Sequence, residues 1–105
     1  MGYETFRRKS KPQLAKHIRT LAKSTVAVFI TVHAKKQMKA RRVTSQEVYE
    51  CLQFGQIVRE PEENQEKESL ECRMERYVSG RQLGVIVALR DEDPDVIVVT
   101  VFKIS

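Results

Sequence analysis

The last third of the chain constrains the fold most. From Leu70 the sequence runs with a period of two, Leu70, Cys72, Met74 and Val78 alternating with Glu71, Arg73, Glu75 and Tyr77. Successive side chains of a strand point to opposite faces, so this run predicts a strand with one core face and one charged face. Ser79-Gly80 supplies a tight hairpin turn. The runs Leu83 to Leu89 and Val96 to Ile104 are almost continuously apolar and β-branched, the pattern of strands covered on both faces, with DEDPD at 91 to 95 joining them. Three such strands form an antiparallel meander whose apolar face must be buried under another layer.

The first half of the chain supplies that layer. Ser10-Lys11-Pro12-Gln13 has the form of a capping box, and Leu14, Ile18 and Leu21 follow at helical spacing. This predicts an amphipathic helix over about residues 11 to 23, with Lys16, Arg19 and Lys23 outward. Val26 to Ile30, β-branched and aromatic, is too short for a helix and reads as a strand. A second helix starts at Thr31 or Val32 with Ala34 and Met38 inward, and ends at Arg42. Thr44-Ser45-Gln46-Glu47 is another capping box, with Val43 placed to meet Val48 as a hydrophobic staple and Gly55 placed as the left-handed residue after the helix. Gln56 to Glu60 reads as a short strand and residues 61 to 69 as an acidic loop.

The expected fold class is therefore α+β, with N-terminal helices packed on an antiparallel β-meander of about three to four strands. At 105 residues the chain is a single domain. Residues 1–24 form a basic N-terminal extension with its amphipathic helix, and residues 25–105 form the α+β core.

Charge is segregated along this domain. Residues 1 to 42 hold 12 Lys or Arg against Glu4 alone, for +11, whereas residues 43 to 105 hold 7 cations against 13 acids, for −6. The basic part suits nucleic acid or an acidic protein partner; pairing of these cations with the acidic loop of the same chain would still leave several over. The longest apolar run, TVAVFITV, is far shorter than the roughly 20 residues of a membrane span. With no apolar signal region after the basic start, no membrane partner is expected and the expected location is cytoplasmic. Cys51 and Cys72 sit singly in apolar patterns and read as buried thiols. No Gly-rich phosphate loop, carboxylate-histidine cluster or Cys-His motif is present, so no metal and no cofactor is expected.

The basic density peaks at HAKKQMKARR, residues 33 to 42. Followed by Val43-Thr44, a short helix ending in Gly55 and a meander finishing in VVTV, it resembles a bacterial and archaeal family of domains of unknown function. That family's signature is a helix of the form H-A-x-x-R-M-x-x-R, then a hydrophobic residue and Ser or Thr. The similarity covers about residues 30 to 104, with His33, Ala34, Met38, Arg41, Val43, Thr44, Gly55, Gly80 and Thr100 on pattern. Gln37 stands where the family usually has Arg, and Arg42 where it often has Gly. The order of elements also resembles the small RelE- and ParE-type toxins, whose members cleave RNA or poison DNA topology. The resemblance implies an RNA-directed ribonuclease of toxin type or an RNA-binding protein, in a toxin-antitoxin or mobile-element setting.

Metal-independent RNA cleavage needs a base near the ribose 2′-hydroxyl, an acid near the leaving oxygen and cations for the developing charge. Imidazole is the side chain suited to proton transfer near neutral pH, which makes His33, with Arg41 and Tyr77, the candidate catalytic set. Lys35, Lys36, Lys39, Arg42, Arg73 and Arg81 are the candidate phosphate contacts. One catalytic cluster requires the His33 row to meet the polar side of the hairpin that carries Arg73, Tyr77 and Arg81. The plainer alternatives are a helix-start histidine partly buried beside Ala34, a solvated basic helix end at Arg41 and Arg42, and a packing role for Tyr77. A non-catalytic nucleic-acid-binding protein needs only the cations. A protein-interaction module would use the C-terminal apolar strands as an exposed edge for β-augmentation.

Overall fold

The structure, a computed structural model, describes residues 2–104. Helix α1 (Glu4–Arg7) is a single turn with no sequence signature. Helix α2 (Lys11–Ala22) starts where the capping box places it, with Ser10 Oγ accepting from the Gln13 N–H at 3.3 Å and Gln13 Oε1 accepting from the Ser10 N–H at 2.8 Å. The expected strand at 26 to 30 is shortened, because a 3-10 turn takes Thr25–Ala27 and leaves β1 as Val28–Ile30.

Helix α3 (Val32–Arg41) is capped by Thr31 Oγ1, which accepts from the Ala34 N–H at 3.2 Å. It stops in a Schellman arrangement: the Val43 N–H donates to the Met38 carbonyl at 2.8 Å and the Arg42 N–H to that of Lys39 at 3.3 Å. Arg42 is consequently left-handed, with φ of 55°. Such a position favours glycine. Helix α4 (Ser45–Phe54) carries the second capping box, Thr44 with Glu47, and Val43 and Val48 are both buried. Gly55 differs from expectation: it is extended, with φ of −77° and ψ of 179°. Glycine is required there by space, since a Cβ would collide with the Cys51 carbonyl and come within 2.9 Å of the Glu75 carbonyl oxygen.

Strand β2 covers only Gln56–Ile57, and the acidic stretch after it contains a second short strand, β3 (Glu62–Asn64). Strands β4 (Ser69–Val78), β5 (Arg81–Leu89) and β6 (Val96–Lys103) form the expected meander. Their first hairpin turns through Ser79 and Gly80, with φ of 53° and 83°. The sheet is larger than the meander and mixed: six strands in the order β1-β6-β5-β4-β2, with β3 beside β2 on the outer side of β4. The purely antiparallel expectation fails at β1, which pairs in parallel with β6 from Val28 opposite Val96 to Ile30 opposite Val98. β6 is therefore not the exposed edge that β-augmentation would need.

Helix α4 packs on β4 and β5, and α2 packs on α4 and β2. Together they bury the even-numbered face of β4 (Leu70, Cys72, Met74) with Val85, Val87, Val96 and Val98. Among the described residues no helix covers the opposite face, so β5 and β6 are covered on one face and not on two: Ile86, Ile97 and Val99 are only half-buried and Phe29 is 58% exposed. Tyr3, Phe6, Leu14, Ile18 and Ala22 belong to the same core as the sheet. The basic N-terminal segment is thus an integral part of the domain.

Candidate nucleic-acid interface

Where β1 stops, the Thr31 N–H still donates to the Val98 carbonyl at 3.1 Å, and α3 then takes over the edge of β6. The link is Gln37, whose Oε1 accepts from the Val101 N–H at 2.8 Å. An arginine at 37 carries no acceptor for that bond. Only Ala34 and Met38 of α3 are buried, with Gln37 and Arg41 half-buried. His33, Lys35, Lys36, Lys39 and Arg42 are exposed.

Among the described residues, none of Lys35, Lys36, Lys39, Arg41 and Arg42 forms a salt bridge. The cations of α1 and α2 differ: Arg7 lies 3.6 Å from Glu63 and Lys11 lies 2.6 Å from Glu60. The acidic stretch therefore pairs with one cation each of α1 and α2 and with none of α3, which stands as an uncompensated cationic face.

The candidate catalytic set is spread over the molecule. His33 stands in the first turn of α3 and Arg41 at its last residue, roughly 12 Å further along the axis. Tyr77 is 65% exposed on the open sheet face near the far end of β4. Arg73 lies on that face too, its guanidinium 4.6 Å from the centre of the Phe102 ring and 3.0 Å from Glu75. Arg81 meets the end of α3, yet both its terminal nitrogens are engaged: Nη1 by the Arg41 carbonyl at 3.2 Å, and Nη2 by the Arg42 carbonyl at 2.6 Å and by Glu47 at 2.9 Å.

His33 is instead brought together with Thr100, which shares the family pattern with it, and with Lys67, Ser69, Glu71 and Arg90, none of which the sequence marked as a site residue. A groove of about 320 Å³ opens between the start of α3 and the open sheet face, lined by Thr31, His33, Lys67, Ser69, Glu71, Ala88, Arg90 and Thr100, among others. The register explains its shape: Glu71, Ala88 and Ile97 lie in one row across β4, β5 and β6, with the small Ala88 at the centre. These residues come from four segments distant in sequence, which is why periodicity carried no sign of them. Among the described residues, no group of three or more His, Cys, Asp or Glu is placed to hold a metal, and no helix is long and apolar enough to cross a membrane. Burial raises the thiols of Cys51 and Cys72 to about 12, so both stay protonated and unreactive at neutral pH.

Fold and interface together define a small α+β domain with a cationic helix laid along the edge of a mixed sheet. The chain belongs to the family described as domain of unknown function (DUF4258), whose model matches residues 30–103. No curated protein and no solved structure shows a significant match.

Proposed function

We propose that the protein binds RNA through the exposed side of α3. The observation that carries this reading is the row Lys35, Lys36, Lys39 and Arg42, exposed and without acidic partners on a helix that buries only two side chains. Cations in such an array bind phosphates by releasing condensed counterions, and the affinity then falls steeply with salt. A helix of ten residues spans roughly 15 Å, enough for a few nucleotides of backbone. The test is a Lys35→Ala, Lys36→Ala, Lys39→Ala triple variant titrated with single-stranded RNA across a salt series. The slope of log affinity against log salt should become shallower by about 2, with stability changed by no more than about 0.5 kcal/mol per site. An unchanged slope and affinity would remove α3 as the binding surface.

A second reading, metal-independent cleavage of the bound RNA, draws its support from His33 and Glu71 lining one groove. An imidazole and a carboxylate are the acid-base pair that attack by the 2′-hydroxyl and protonation of the leaving oxygen need. In this reading Arg41 and Tyr77 take no part, and the likeness to RelE- and ParE-type toxins rests on element order alone. Incubating the protein and its His33→Ala variant with labelled RNA in EDTA decides the matter. Cleavage lost only in the variant supports it, and retention of intact RNA by both proteins leaves binding alone.

A further inference from the structure

The groove at the start of α3 contains two buried polar atoms without hydrogen-bond partners, Ser69 Oγ and Arg90 Nε. Ser69 is 1% exposed. An unsatisfied buried hydroxyl is destabilising, so its persistence beside an open groove marks a place for a ligand oxygen. Lys67 and His33 stand exposed at the same groove, and α3, which starts there, presents the positive end of its dipole. These groups are all donors suited to a phosphate.

The groove also contains a group of opposite sign. Glu71 accepts from Asn64 Nδ2 at 3.0 Å through Oε2, and among the described residues its Oε1 accepts nothing. Arg90 Nη1 is partly neutralised by Asp93 at 3.5 Å. A site for a bare polyanion would not place a carboxylate among its donors, but a site for a ribonucleotide has a use for one. The ribose 2′-hydroxyl is a donor, and it is the atom by which a protein distinguishes RNA from DNA.

We propose that this groove is a ribonucleotide subsite, in which Ser69, Arg90, Lys67 and His33 hold one phosphate and Glu71 accepts the 2′-hydroxyl of the attached ribose. It rests on the reading of α3 as an RNA-binding face and adds sugar selectivity to it: α3 supplies charge without discrimination, and the groove at its start supplies the preference for RNA.

The experiment compares binding of RNA and DNA single strands of matched sequence to the wild type and two variants, Glu71→Val and Ser69→Ala. The wild type should prefer RNA by roughly ten- to a hundredfold, the worth of one hydrogen bond to a charged acceptor. Glu71→Val should bind both strands alike, with DNA bound no more weakly than by the wild type. Ser69→Ala should weaken both strands about tenfold or more, while melting no lower than the wild type, because it removes a buried hydroxyl that nothing satisfies in the free protein. Equal wild-type affinity for RNA and DNA, or unchanged binding by Ser69→Ala, overturns the subsite and leaves α3 binding intact. Failure of the wild type to hold either strand at low salt overturns both.

Discussion

At the scale of single residues, the side chains with the most conspicuous chemistry in the sequence are partly consumed by architecture. Arg81 closes the C-terminus of α3 and reaches Glu47, which at the same time closes the capping box of α4. The hydrogen bond donated by the Thr44 N–H, assisted by the Arg81 charge, holds the Glu47 carboxyl below its ordinary value of 4.5. A carboxyl lowered in the folded state contributes stability in full above its unfolded value and loses it as pH falls through the folded one. Stability should therefore decline on acidification below about 4.5 more steeply in the wild type than in Glu47→Gln, as read from urea midpoints over a pH series. Parallel curves would show that the carboxylate is not linked to folding. Gly55 carries a similar lesson: the sequence marks a glycine after a helix, and the reason for it is the nearness of two carbonyl oxygens from α4 and β4.

At the scale of elements, the ends of helices show what local sequence can and cannot specify. Both capping boxes were readable, because the partners stand three residues apart and meet whatever the rest of the chain does. The C-terminal ends, beyond their own backbone closures, are also reached by side chains from a distance. Gln53 donates to the Ala22 carbonyl, Arg19 to that of Gly55, Arg76 to that of Phe54, and Arg81 to those of Arg41 and Arg42. Helix α3 is held along β6 in the same way, by Gln37 on the Val101 N–H. Gln37→Leu, which removes that acceptor, should cost about 1 to 2 kcal/mol in a urea denaturation. Gln37→Glu keeps the acceptor and should recover most of that loss; equal loss in both variants would mean the bond contributes nothing.

At the scale of the whole molecule, the domain is larger than its family match. The match begins at residue 30, yet α1 and α2 place Tyr3, Phe6, Leu14 and Ile18 in the core under the sheet. Burying four such side chains contributes about 6 to 12 kcal/mol, comparable with the entire stability of an ordinary domain. A variant lacking residues 2 to 24 should consequently lose cooperative unfolding, measured by circular dichroism during heating; a cooperative transition near that of the full chain would show the segment to be a true extension. Local pattern alone was enough for the fold class, the helix starts, the three-stranded meander with its core face, and the basic excess of the first 42 residues. Each of these rests on neighbours in sequence or on a simple period. Long-range packing settled that β1 lies parallel to β6, that acids from the β2–β3 region pair with Arg7 and Lys11 but not with the cations of α3, and that His33 shares a groove with Ser69, Glu71 and Arg90 in place of Arg41 and Tyr77. Those outcomes depend on which surfaces meet after long stretches of chain are closed, and no local pattern encodes such a meeting.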